Sequence, residues 1–221
     1  MPTPPDRPPS PPERSTPTGH LKPHHHGNLR AAALDALDQL IRDEGVGSVT
    51  LRTLAARTGV SHTALLHHFG TLHGLFTAFA CAGFDLLGDR LAGAGEAEGT
   101  GGGVEALDIG VGYVAFSVDH PAHFRVMFDP ALLVADDAAL TAARDSAFTV
   151  LRRSVDKLDN PTARSDAAAA IIAGWSLMHG LAVLAASGNL EAAHIRHLVA
   201  QDDLLALARR AGGMLFGSPG G

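Results

Sequence analysis

Thirteen histidines and a single cysteine are the side chains of this 221-residue chain best suited to metal binding or nucleophilic chemistry, and their spacing argues against both. His24, His25 and His26 form a run with His20 close by, which could hold a soft divalent metal. They sit in a proline-rich tail, however, where such a run is more often solvated than ligating. Glu191, His194 and His197 recur at three-residue spacing, but the angular drift between first and third around a helix favours a solvated face, and His120 with His123 reads the same way. Cys81 has no cysteine to pair with, and no Cys/His zinc spacing can be drawn. No GxSxG, HExxH or paired-carboxylate spacing is present, and the glycine run at 99–103 lacks the Lys-Ser/Thr ending of a phosphate-cradling loop. We therefore expect no enzyme, no metal and no cofactor.

What remains is the chemistry of phosphate and base recognition. The chain carries 17 Lys plus Arg against 23 Asp plus Glu, a net charge of -6, so it does not coat nucleic acid by bulk positive charge. Yet no acidic residue occurs between Gly45 and Gly83, while Arg52, Arg57, His62, His67, His68 and His73 do. Two short helices must present these groups. Thr50 is a natural N-cap, with Val49 before it and Leu54 placed to staple back onto it, and Ser61 repeats the device with Val60 and Leu65. Thr58, Gly59 and Val60 join the two helices, the glycine allowing a left-handed turn, and small Ala55 and Ala56 would permit close approach. At 100° per residue, Leu65 and Phe69 on the core side put Thr63 and His67 on the opposite side, with His62 and Leu66 flanking. His62, Thr63 and His67 are the expected base contacts, and Thr50, Arg52, Ser61 and His68 the expected phosphate contacts. The second helix has no Arg, Lys, Asn or Gln, so its direct readout should be weak. Its histidines also predict tighter DNA binding at pH 6 than at pH 8, at fixed salt.

The rest of the chain supplies the scaffold. Nine of the 13 prolines fall in the first 23 residues, and residues 1–26 are expected to be a disordered Pro/His-rich tail without a secretory signal. Asn28 can cap a first helix in which Ala33, Leu34, Leu37, Leu40 and Ile41 recur at three-four spacing, and Gly45 ends it. A longer helix runs from about Thr71 to Leu91, and Gly93–Gly103 is a loop. Further helical stretches are expected at about 104–118, 121–128, 137–158, 163–187 and 191–211. No segment alternates with period two, so the fold is all-α: a helix-turn-helix domain over 27–88, its motif at about 51–69, and a helical domain over 92–214. The uncharged stretch Ala167–Ala186 is formally long enough to cross a bilayer, but its alanines with Gly174, Ser176, His179 and Gly180 read as a buried core helix in a cytoplasmic protein with no membrane partner.

Glu44-Gly45, Val49-Thr50-Leu51-Arg52, Leu54-Ala55, Gly59-Val60-Ser61, His68-Phe69 and Leu75 together resemble the N-terminal domain of the TetR family of transcriptional regulators. His24–Arg30, Pro121–Phe128 and Trp175-Ser-Leu-Met-His179-Gly180 are similar to the markers of a subgroup named for a Trp, His-Gly signature. The family usually has tyrosine where Leu66 stands and lysine where Leu72 stands, both commonly phosphate contacts. The resemblance implies a ligand-responsive repressor, homodimeric through its last two long helices, that binds a near-palindromic double-stranded DNA operator and a small-molecule effector. The alternative is a ligand- or partner-binding protein with a degenerate helix-turn-helix. Phe124, Met127, Phe128, Trp175, Met178 and His179 are the candidate pocket residues, side chains that equally suit plain core. His179 could offer a ligand one polar contact or bond a backbone carbonyl.

Overall fold

The structure is a computed structural model and describes residues 29–95, 102–158, 160–191 and 203–216. The expected tail, His20, His24–His26, Asn28, His194 and His197 lie outside those residues. The described residues form ten α-helices, three short 3₁₀ turns and no strand.

Helix α1 (Leu29–Glu44) buries Ala33, Leu37, Leu40 and Ile41, the stripe its spacing predicts, and ends at Gly45 with φ 82°. Helices α2 (Leu51–Thr58) and α3 (His62–Phe69) follow, and α4 (Leu72–Gly95) is the long central helix. Helix α5 (Gly102–Asp119), α6 (Pro121–Met127), α7 (Ala138–Asp156), α8 (Pro161–Ser165), α9 (Ala167–Ala186) and α10 (Leu204–Phe216) complete the chain. Helix α4 ties the molecule together. Leu75 and Phe79 at its start are fully buried within the same continuous core as Leu37, Leu54 and Leu65, and Phe84, Leu87 and Leu91 extend that core to Tyr113, Met127 and Met178. Each such large side chain removed from water contributes about 1.5–3 kcal/mol before entropy is counted.

Several elements depart from expectation. The loop expected over Gly93–Gly103 is shorter, because α4 runs on past Leu91 to Gly95 and α5 already begins at Gly102. The stretch predicted as one helix over 163–187 is two, because Asp166 leaves helical geometry (φ −141°, ψ 73°) and its carboxylate accepts from Ala169 N at 3.0 Å, starting α9 afresh. An aspartate that can satisfy an orphan N–H of the next turn competes with continuation of the helix. The last helix, expected over 191–211, is described only as α10, with its expected apolar residues Ile195 and Leu198 outside the described region. Helix α9 is also not buried all round. Ile171, Gly174, Met178, Leu181 and Ala182 face the protein, whereas Ile172, Val183 and Leu184 are exposed. Among the described residues α9 is the one single helix long and apolar enough to cross a membrane, yet one face is committed to α5, α7 and α10.

Candidate DNA interface and effector cavity

The helix pair α2–α3 is built by its caps. Thr50 Oγ1 accepts from Thr53 N at 3.0 Å while Thr53 Oγ1 accepts from Thr50 N at 2.9 Å, a reciprocal box closed by two threonines. Ser61 Oγ accepts from Ala64 N at 3.1 Å. Between them Gly59 takes the left-handed conformation, φ 69° and ψ 14°, which costs a side-chain-bearing residue roughly 1 kcal/mol. Val49, Leu54 and Leu65 are buried beneath the caps, and Ala55 is half-buried at the contact, but Ala56 faces solvent and takes no part in it.

With Leu65 and Phe69 inward, His62, Thr63, Leu66, His67 and His68 are all exposed on α3, and Thr50, Arg52 and Ser61 are exposed around the N-termini of α2 and α3. The expected contact residues are thus all solvent-exposed. Two details were not legible beforehand. Arg57 reaches back to Asp43 and Glu44 at the end of α1, so its charge is compensated although its own segment is free of acids. Arg30 lies 5.9 Å over the Phe69 ring, placing a further guanidinium beside the end of α3. Leu72, which replaces the family's lysine, is half-buried against the core.

A second feature lies between α4, α5, α7 and α9. A cavity of about 370 Å³ is walled by Phe84, Leu87, Leu91, Ile109, Tyr113, Met127, Phe128, Phe148, Leu151, Trp175 and Met178, with Arg144 and Asp145 also on it. Its size falls in the range of small-molecule sites. Four of the six pocket candidates line it, Met127, Phe128, Trp175 and Met178. Phe124 and His179 do not; with Arg125, Asp129 and Val183 they border an adjoining, more polar cleft of about 310 Å³ that shares Phe128 and Pro130 with the cavity.

Tyr113, which sequence reasoning missed, joins the two spaces. Trp175 Nε1 donates to Tyr113 Oη at 3.3 Å, and Tyr113 Oη lies 2.8 Å from His179 Nδ1. The indole can only donate, so the Tyr113 oxygen accepts from it, and burial lowers the His179 pKa from 6.5, so a neutral imidazole shares the second hydrogen bond with the phenol, its direction set by the tautomer. His179 therefore bonds a side chain in place of the backbone carbonyl expected. Burial pushes the Tyr113 pKa up, which keeps the phenol protonated and the relay intact.

Helix α6 links this region to α1. His123 stacks on Phe79 with ring centres 3.8 Å apart, and its Nδ1 lies 3.5 Å from Asp38 Oδ1. Neither atom has a hydrogen-bond partner among the described residues. Its burial corrects the solvated face expected for His123, because Gly83 on α4 lets α6 approach so closely that an added Cβ would fall 3.1 Å from His123 Cβ and 2.6 Å from Met127 Sδ. No cluster of three or more metal-ligating side chains occurs among the described residues.

An N-capped helix pair with an outward polar face, mounted on a helical body, is the arrangement of a helix-turn-helix unit, the class of fold that DNA-binding transcriptional regulators use. Residues 33–79 match the family profile described as bacterial regulatory proteins, tetR family, and residues 106–211 match the tetracyclin repressor-like C-terminal domain. The chain belongs to the TetR family. These profiles reach the family and not the Trp, His-Gly subgroup. Solved structures agree on the fold. A protein of unknown function from Rhodococcus sp. RHA1 is 24% identical with a TM-score of 0.71, covering 88% of this chain and 97% of that one. A tetR-family regulatory protein from Rhodococcus RHA1 gives 20% identity and a TM-score of 0.60, over 85% and 94% of the two chains. The TetR family transcriptional regulator PfmR from Thermus thermophilus gives 16% and 0.60, over 86% and 99%. No curated protein matches the chain significantly.

Proposed function

We propose that the protein is a ligand-responsive repressor that binds a near-palindromic operator as a homodimer. The observation that carries DNA reading is the surface of α3, where Thr63 and His67 stand one turn apart, opposite buried Leu65 and Phe69 and flanked by His62. Thr50, Arg52, Ser61 and His68 would fix register on phosphates while those three side chains meet base edges, with exposed Leu66 able to meet a thymine methyl. For the dimer, the support is the outer face of α9. Ala169, Ile172, Ala173, Ser176, Val183 and Leu184 form one uncharged exposed stripe at three-four spacing along the helix. A helix apolar on every side needs cover on every side, and a second copy of α9 and α10 supplies it symmetrically. The regulatory unit would extend over 92–214 and the DNA-binding unit over 27–88. Ligand in the cavity would act by population shift, favouring dimers whose two α3 helices no longer span one DNA turn.

The compensation of Arg57 by Asp43 and Glu44 favours a second reading, a binding protein whose helix-turn-helix no longer holds DNA tightly. Fluorescence-anisotropy titration against DNA flanking the protein's own gene, at two salt concentrations, separates the two. Fragment-selective, salt-sensitive binding is expected. Its absence on every fragment, with a folded dimer in hand, would establish the second reading.

A further inference from the structure

We infer that the cavity takes an apolar organic acid, with its carboxylate on Arg144 and its body among Phe128, Phe148 and Trp175; this rests on the reading of that cavity as the effector site. The argument is one of elimination among the polar side chains that line it: Tyr113, Trp175, Arg144 and Asp145. Tyr113 and Trp175 are spent, since the indole donates to the phenol oxygen and the phenol is itself hydrogen-bonded to His179 Nδ1. Arg144 is half-buried, its guanidinium 5.6 Å over the Phe84 ring, and no carboxylate pairs with it among the described residues. Elsewhere on the helical body arginines do stand against carboxylates, Arg90 against Asp119 and Arg209 against Asp108.

Asp145 is the competing charge. It is exposed at the rim, whereas Arg144 is the more enclosed of the two. A cationic ligand would share the cavity with the Arg144 charge, and Arg144 already occupies the cation–π position on Phe84. An anionic head meets a half-buried guanidinium able to donate a forked pair of hydrogen bonds. The remaining wall is aromatic, aliphatic and thioether, suited to a ring or an acyl chain.

Trp175 is the chain's one tryptophan and lies on the cavity wall, so its fluorescence reports occupancy directly. The full-length protein is titrated with 2-naphthoate and decanoate, with the amide of each, and with decyltrimethylammonium, at one pH and salt. Each acid should bind about tenfold or more tightly than its amide. Arg144→Gln should erase that difference by weakening the acids far more than the amides. Equal binding of acid and amide in the unsubstituted protein overturns the assignment of Arg144 but leaves the cavity as the effector site. Tighter binding of the cation overturns it in favour of Asp145. If no probe perturbs Trp175 in the folded protein, both this inference and the effector reading of the cavity fall.

Discussion

The buried pair between α1 and α6 makes stability depend on pH in a way that can be worked out in advance. His123 has its pKa lowered to about 4, first because burial disfavours the imidazolium, with His120 and Arg42 adding to the effect and Asp38 and Asp35 opposing it. Its ordinary value is 6.5, so between those values the unfolded chain binds a proton that the folded protein refuses. The contribution is therefore present above pH 6.5 and is lost as pH falls toward 4. At 1.36 kcal/mol per unit, the part lost between pH 7 and pH 4.5 is about 2 kcal/mol, a sizeable share of a domain's usual net stability of about 5–15 kcal/mol. The side chain is only 12% exposed, so solvent screening does not erase the term.

The assay is urea unfolding of the unsubstituted protein and of His123→Asn across pH 4.5–7.5, at one protein concentration because a dimer's stability is concentration-dependent. Asparagine can place a neutral polar group where Nδ1 sits, and every other titrating group is common to both proteins. The unsubstituted protein should lose about 2 kcal/mol relative to the variant across the range. Parallel profiles would show that His123 protonates freely in the fold. A relative gain on acidification would show that a charged His123–Asp38 pair outweighs burial, and either result refutes the reasoning.

Three further outcomes follow from the geometry. Tyr113→Phe strands Trp175 Nε1 and His179 Nδ1 and should cost about 1–3 kcal/mol in urea unfolding, with a shift in Trp175 emission. Gly83→Ala drives a methyl against Met127 and His123, with an expected loss of about 1–3 kcal/mol in the same measurement; unchanged stability would mean α6 moves off α4 freely. In operator titrations Arg52→Ala should lower the slope of log affinity against log salt by about one and keep sequence preference, whereas Thr63→Ala should weaken preference and keep the slope.

The features legible in the sequence are those whose partners lie within a turn or two. Thr50 caps through Thr53, Ser61 through Ala64, and Gly59 is required by its own backbone, so the helix pair and its outward face could be read from local chemistry. The α1 stripe was legible for the same reason, because period alone decides which residues turn inward. Arg57 was not, since its carboxylates stand thirteen and fourteen positions away, and an acid-free stretch of sequence need not be an acid-free neighbourhood in space.

The cavity shows the same boundary from the other side. Aromatic and methionine content announces an apolar interior, but a void is whatever packing leaves unfilled between α4, α5, α7 and α9, and composition does not say which side chains face it. Phe124 and Phe128 are four residues apart along the chain, yet Phe128 lines both the cavity and the neighbouring cleft whereas Phe124 lines only the cleft. Tyr113 and His179 are separated by 66 positions, and each alone reads as an ordinary core or surface residue. Only their meeting turns Trp175 and His179 into two ends of one hydrogen-bond relay. With the relay's polar atoms spent on one another, Arg144 is left as the most enclosed uncommitted polar side chain on the wall. The ligand chemistry of the cavity thus follows from which polar groups the fold has already paired.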